Sequence, residues 1–516
     1  MVEHKFKLKK AALAALFMFG FIPFVFTSCE IFNKKVLLKF QIPYAVNSST
    51  FKRVSTVIDK FNRENKKTKI ELIPAQSRRE LYNHITLGIE AKNKDLPNLV
   101  IHYPSLAYYA ASQNKALDFS SALTLSSLSS DFLKQYNRFN SDKITNLPLA
   151  ISSEALVINK PLLGYFLLEL EKYATKNGIS LNLERVPIFK LAKDYFTNLK
   201  TLTKVEDLEL WKLKFNFNKT LILDNKNLFE DLDLNSYENL FRFTSVIHAS
   251  TEKGNVDYLY SQSVVNTTYS IMFNDANQDY NHYFLKYNSS QTLDIRNILE
   301  NPDRQNELKK IYFLYKTMFE DKELNIAFGN ENTSEINSKF FSLVSNRIYD
   351  TIKRRLPNLD DFLFLNAPIK NANSKENGSY FLQGLNLIGI KKSTKENQAL
   401  LDFVKWMYNK DNFSKYTINN KQYFLTPVEY LNLSLGYYYP SDNFDSIIEN
   451  SQENVTLKNI KNLFDSQNVK FLEPVDFESE RFRRGLLLSI QTLKRGIDLG
   501  NPIDFETFIN TIKRGI

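Results

Sequence analysis

Residues 36–73 read VLLKFQIPYAVNSSTFKRVSTVIDKFNRENKKTKIELI, and the fold class follows from how this stretch alternates. Val36 to Ile42 is a short, mostly apolar run stopped by Pro43, the pattern of a buried strand. From Ser49 to Asn65, Val54, Val57, Ile58 and Phe61 recur at helical spacing on one face. Lys69 to Ile73 is a second strand, ended by Pro74. Working outward, Arg79 to Lys94 reads as a helix, Asn98 to Ile101 as a strand and Ser105 to Asn114 as a helix. Strands alternating with such helices require βαβ crossovers, hence a parallel sheet and an α/β fold.

Toward the N-terminus, Met1 to Lys10 is basic, and Ala11 to Phe26 is apolar without a charge. The run is shorter than the ~20 residues of a membrane span and suits the core of a signal peptide. It ends at Phe26-Thr27-Ser28-Cys29, where small residues precede the chain's one cysteine. This pattern resembles a bacterial lipoprotein lipobox, with Phe26 at the usual Leu position and Thr27 at a usual small-residue position. Residues 1–28 are therefore expected to be a lipoprotein signal peptide, and Cys29 the site of acylation by diacylglyceryl and palmitate chains. Residues 29–35 would be a tether, and its six residues after the cysteine reach about 20 Å at most. The rest of the chain would then sit close to a membrane, on its periplasmic or extracellular face.

Composition excludes several function classes. One cysteine cannot make a disulfide scaffold or a thiolate metal site. With 43% hydrophobic residues the chain is not disordered, and its 516 residues suffice for more than one domain. The net charge of +10 is too dilute for a nucleic-acid signature, so no nucleic-acid partner is expected. The five histidines are scattered, and no Gly-x-Gly, Walker loop or Gly-x-Ser-x-Gly elbow is present. Asp231, Asp233 and Asn235 imitate the start of a calcium loop, but Ser236 and Arg242 stand where Gly and Glu are needed. No catalytic residue, metal or cofactor is expected.

Further along, 155–380 reads as mostly helical, with Leu308, Ile311, Tyr315 and Phe319 marking one helix opened by Asn301-Pro302. Leu385 to Ile390 reads as a strand, and Asn397 to Tyr408 as a helix carrying Leu400, Phe403, Val404 and Met407 on one face. Trp406 lies beside that stripe and reads as packing. Two helices close the chain, around Glu478 to Leu493 and Asp504 to Lys513.

Five stretches in this order resemble the bacterial extracellular solute-binding proteins, family 1, of the maltose-binding type. They are VSTVIDKFNRENKKTKIELI (54–73), LPNLVIHYPSLAYYAASQNKALDFSSAL (96–123), NLPLAISSEALVINKPLL (146–163), FLQGLNLIGIKKSTKENQALLDFVKWMYNKDNFSKYTINNKQYFLTP (381–427) and SERFRRGLLLSIQTLKRGIDLGNPIDFETFINTIK (479–513). Asn159-Lys160 matches the family's usual Asn-Lys, while Asn98 replaces its usual Asp. The resemblance implies the two-lobed periplasmic-binding-protein type II fold, with a hinge and an interlobe cleft. Lobe I would use 36–150 and 385–415, lobe II 155–380, and the helices of 416–516 would brace the lobes.

The resemblance implies a small-molecule solute, delivered to the membrane subunits of an ABC permease by a monomeric, membrane-anchored lipoprotein that is not an enzyme. Carbohydrate is the default solute, with glycerol-phosphate-like molecules next. Ligand groups are expected at the strand ends, where loops and backbone dipoles converge. The candidates are Tyr44, Gln76, Tyr103, Ser105, Glu154, Tyr380, Phe381 and Gln383, types that stack on or hydrogen-bond to a polar solute. An anionic solute would need arginine, and Arg78-Arg79 would serve, although such a pair is more often solvated. The alternative is a surface lipoprotein whose cleft has degenerated and which contacts a macromolecule instead.

Overall fold

The computed structural model describes residues 35–515 apart from 140–142, 203–212, 253–255, 284, 286–293, 329–332, 356–357, 371–376, 451–454, 474 and 477. The signal peptide and Cys29 lie outside the described residues. Among the described residues no helix is long and apolar enough to cross a membrane.

Two five-stranded sheets organise the chain. The first holds β1 (Val36–Ile42), β2 (Thr68–Pro74), β3 (Leu99–His102) and β4 (Leu147–Ser152). The second holds β5 (Glu154–Asn159), β6 (Asp257–Ser261), β7 (Leu324–Ile326), β8 (Lys339–Ser345) and β9 (Phe362–Asn366). Then come β10 (Ser379–Phe381) and β11 (Gln383–Gly389), a hairpin of β12 (Ser414–Ile418) and β13 (Lys421–Leu425), and β14 (Val469–Phe471). β11 crosses back into the first sheet, whose order is β2-β1-β3-β11-β4; the second runs β7-β6-β8-β5-β9.

The opening unit forms as its pattern requires. Ser48 caps the helix Ser49–Glu64 by accepting from Phe51 N at 3.1 Å, and Val54, Val57, Ile58 and Phe61 are buried. Each such side chain stabilises by about 1.5–3 kcal/mol through burial. β1 pairs in parallel with both β2 and β3. The sheet is nevertheless mixed, because β11 runs antiparallel to β3 and β4. β11 arrives from the other lobe, so it enters at the end where β3 and β4 finish.

The span 155–380 is mostly helical, as its sequence suggests, but it also holds, within it or at its edge, all five strands of the second sheet, which the sequence did not reveal. They are three to seven residues long and largely buried on both faces. A strand buried on both sides shows no polar alternation, so its sequence cannot be told from a buried helical turn.

Helices cover both faces of each sheet. On the first, Ser49–Glu64 and Thr394–Tyr408 pack on one face, with Arg78–Glu90 and Pro104–Ser112 on the other. Trp406 packs within this shell, 5.2 Å from the Phe61 ring, and its indole N–H donates to Glu64 at 3.1 Å. The segment after 416 divides between the lobes. Pro427–Leu435, Asp442–Asn450 and Val455–Asp465 join the first core. Ser479–Asp498 and Phe505–Gly515 join the second.

Candidate functional site

Five strand ends of the first sheet meet at one edge: the carboxyl ends of β1 to β4 and, because β11 is antiparallel, its amino end. Gln383 pairs with Ser152, and Asn386 lies across from His102. Gly384 permits this arrangement. Its φ is +151°, and a Cβ there would fall 1.8 Å from the Ala150 carbonyl oxygen. The second sheet offers the start of β5 and the ends of β6 and β8, with Glu154 across from Ser345. Between the two edges lies a cavity of ≈ 280 Å³.

Its first-lobe wall is built on the helix Arg78–Glu90. Ser77 Oγ accepts from Glu80 N at 3.1 Å, and Glu80 Oε2 accepts from Gln76 N at 2.7 Å. The Ser77 cap and the bond from the residue before it together fix the first turn. The Arg78 carbonyl accepts from His102 Nε2 at 3.0 Å. Burial lowers the His102 pKa to about 4, so the ring is neutral at neutral pH and holds Arg78 as a donor. The Arg78 guanidinium donates to the Tyr103 hydroxyl and lies 4.5 Å from that ring's centroid. Gln383, Asn386 and Tyr437 complete this wall. Gln383 Nε2 and Asn386 Oδ1 are buried and have no hydrogen-bond partner among the described residues.

The second-lobe wall carries two more arginines. Arg347 follows β8, donates to the Leu435 carbonyl at 3.4 Å and lies 4.7 Å from the Tyr437 ring centroid. Its neighbour Asn346 stitches three passing segments. It accepts from Ser153 N at 3.3 Å, donates to the Gly436 carbonyl at 3.0 Å, and offers its own carbonyl to Thr456 at 3.2 Å. Gly436, at φ +72°, ends the helix Pro427–Leu435 in the left-handed conformation that glycine adopts without strain. Arg483 projects from the helix Ser479–Asp498, pairs with Glu473 at 2.8 Å and donates to Asn266 Oδ1. It also stands 6.0 Å from the Tyr103 ring centroid across the cleft.

Of the expected ligand residues, Tyr103, Phe381 and Gln383 line the cavity. The others are not on its wall. Tyr44 is half-buried against the first core, close enough to Arg78 to interact with its charge. Gln76 is exposed. Ser105 is buried, and its hydroxyl has no partner among the described residues. Tyr380 is turned into the first core because neighbouring residues of a strand face opposite ways, which leaves Phe381 on the cavity side. Glu154 is buried behind the wall on the same face as Leu156 and Ile158, and neither carboxylate oxygen has a partner among the described residues. Burial pushes its pKa up to about 8, with Arg483 pulling the other way.

Sequence reasoning weighed Arg78 only as an anion site and missed Arg347, Arg483, Glu473, Asn266, Gln262 and Tyr437. No local pattern flags these residues, since they meet only across the cleft. A second cavity of ≈ 280 Å³ adjoins the first through Leu472 and is lined by Lys134, Arg138 and Lys470. Among the described residues no His, Cys, Asp or Glu cluster could hold a metal ion.

The same architecture occurs in solved structures. The cyclic alpha-maltosyl-1,6-maltose binding protein of Arthrobacter globiformis superposes with a TM-score of 0.56 at 10% identity, covering 93% of this chain and 98% of that one. CpMnBP1 with mannotriose bound gives 0.58 at 12%, covering 93% and 100%. The GacH receptor of Streptomyces glaucescens gives 0.56 at 12%, covering 93% and 97%. The fold is the two-lobed maltose-binding type. The neighbours are binding proteins, and at these identities the likeness is one of fold.

Sequence comparison points to lipoproteins. Residues 381–494 match a family described as putative mycoplasma lipoprotein, C-terminal region. An uncharacterized lipoprotein of Mycoplasma pneumoniae is 28% identical over 167 residues, 30% of this chain and 20% of that protein. Another from the same organism is 26% identical over 148 residues, 26% of this chain and 94% of that protein. The matched stretch thus spans only a fifth of the first relative's length.

Proposed function

We propose that this chain is an exported, membrane-anchored lipoprotein that captures a small polar solute between its lobes and delivers it to an ABC permease without transforming it. The observation that carries this reading is the cavity itself. Both lobes wall it, polar side chains line it, and the buried Gln383 Nε2 and Asn386 Oδ1 have no partner there among the described residues. A buried unpaired polar group costs about 1–3 kcal/mol, so a ligand that satisfies it is favoured. Acylation of Cys29 would hold the body beside the permease, and closure of the lobes would move with solute capture. At ≈ 280 Å³ the cavity suits a compact solute rather than a long oligosaccharide.

Thermal unfolding of the full chain in detergent, against a panel of sugars, phosphate esters, amino acids and peptides, tests the reading. A solute at a hundred times its Kd should add about 2.7 kcal/mol. Silence across the panel from a natively folded protein would favour the other reading, a surface lipoprotein that uses its lobes against a macromolecule.

A further inference from the structure

We infer that the solute carries a phosphate monoester, seated between Arg78 and Arg347. This rests on the solute-binding reading of the same cavity and narrows it to a substrate class. Three guanidiniums line the small interlobe cavity, and arginine keeps its charge at every accessible pH. Arg483 is neutralised by Glu473 at 2.8 Å. The other two have neutral partners among the described residues: the hydroxyl and ring of Tyr103 for Arg78, and the Leu435 carbonyl and the Tyr437 ring for Arg347. Neither makes an ion pair among the described residues, although the buried Glu480 lies near enough to feel the charge of Arg78, and two largely buried cations so placed are costly to hold together.

A phosphate monoester carries between one and a half and two negative charges at neutral pH, and its oxygens match the planar fork of guanidinium. It therefore balances the two unpaired cations, whereas a neutral sugar leaves both uncompensated. Gln383 Nε2, buried and without a partner among the described residues, is a further donor on the same wall. The adjoining cavity strengthens the case. Among the described residues Lys134, Arg138 and Lys470 line it and no carboxylate does, although Asp465 lies near Lys470, so it offers a cationic approach that raises the local concentration of anions. The polar ester would then meet the remaining wall at Asn386, Gln262 and Asn266.

Titration calorimetry on the full chain in detergent tests this, with glycerol phosphate, glucuronate and maltose as probes. Glycerol phosphate should bind, more weakly as salt is raised, while maltose should not. Arg78→Gln and Arg347→Gln should each weaken binding by roughly tenfold or more, and Arg78→Lys should recover part of the loss. Circular dichroism and thermal unfolding check that each variant is folded. Maltose binding that ignores both substitutions would overturn the phosphate assignment while leaving solute capture standing. Preference for glucuronate would do the same in favour of a carboxylate. Undiminished glycerol phosphate binding by the Arg78→Gln/Arg347→Gln double variant would overturn the seat. Failure of all three probes and of the wider solute panel would remove both readings together.

Discussion

On the first-lobe wall of the cavity, Arg78 ends on a tyrosine hydroxyl and ring; on the second-lobe wall, Arg483 ends on the carboxylate of Glu473. Both guanidiniums are largely withdrawn from solvent, yet only one is compensated within the protein. Arg483 and Glu473 expose 19% and 17% of their side chains, so their pairing is shielded enough to matter for folding. Arg78 makes no such ion pair among the described residues, with Glu480 only a more distant neighbour, so its charge is open to a ligand. Similar arginines in one cavity thus have different duties. The second-lobe pair holds the wall in place, and the first-lobe arginine, with Arg347 at the crossing, is the part that can answer a bound anion.

The largest expected effect tests that division directly. Glu473→Gln takes from the buried Arg483 its ion-pair partner, leaving Asn266, the Tyr103 and Tyr269 rings and the more distant Glu480, and should cost about 3 kcal/mol of unfolding free energy. Arg78→Gln should change stability by less than about 1 kcal/mol, because no ion pair is lost. Denaturant unfolding measures both, and a larger loss for Arg78→Gln would reverse the assignment of duties.

Glu154 sharpens the contrast from behind the second wall. Its folded-state pKa of about 8 lies above the ordinary carboxyl value of 4.5. The folded protein therefore holds a proton that the unfolded chain releases. That contribution to stability is whole below pH 4.5 and is lost as pH rises through 8. Glu154→Gln should remove the loss, a relative gain on the order of 2 kcal/mol at pH 8 and none at pH 4. Equal effects at both pH values would mean the carboxyl is not buried as a neutral acid.

The first wall has the opposite sign. His102 has its pKa lowered by burial from 6.5 to about 4. Its contribution is present above pH 6.5 and is lost as pH falls toward 4. His102→Gln should flatten that slope, recovering about 1 kcal/mol at pH 5, by thermal unfolding across a pH series. The smallest effect is expected far from both walls. Cys29→Ser should leave unfolding and solute binding unchanged while moving the protein from the detergent phase to the aqueous phase on partitioning.

How much was legible depended on distance along the chain. The helices of 36–112 follow from residue periodicity because each buries one face, and the strands between them from short apolar runs at βαβ spacing, even where, as in Leu99–His102, both faces are buried. The return strand Gln383–Gly389, though largely buried on both faces and paired with distant strands, was readable as a short apolar run bounded by polar residues, and the helix Thr394–Tyr408 from its apolar stripe. The second sheet was not, because strands such as Lys339–Ser345 are buried on both faces and show no period. The cavity wall was harder still. Tyr103 and Gln383 follow from lying at strand ends, whereas Tyr380 and Phe381 differ only in which way one short strand is turned.

By itself the sequence determined the α/β class, the opening βαβ unit and the lone cysteine behind a signal-like run. These are local facts, set by spacing and by residue type. Only the tertiary structure decided which charges meet. Arg78, Arg347 and Arg483 are separated by more than a hundred residues at each step, and no periodicity links them. They share one cavity because β11 and the helix Ser479–Asp498 return to lobes begun hundreds of residues earlier. Whether a given arginine there is neutralised or left open depends on a carboxylate within a few ångströms, a distance that sequence order does not encode.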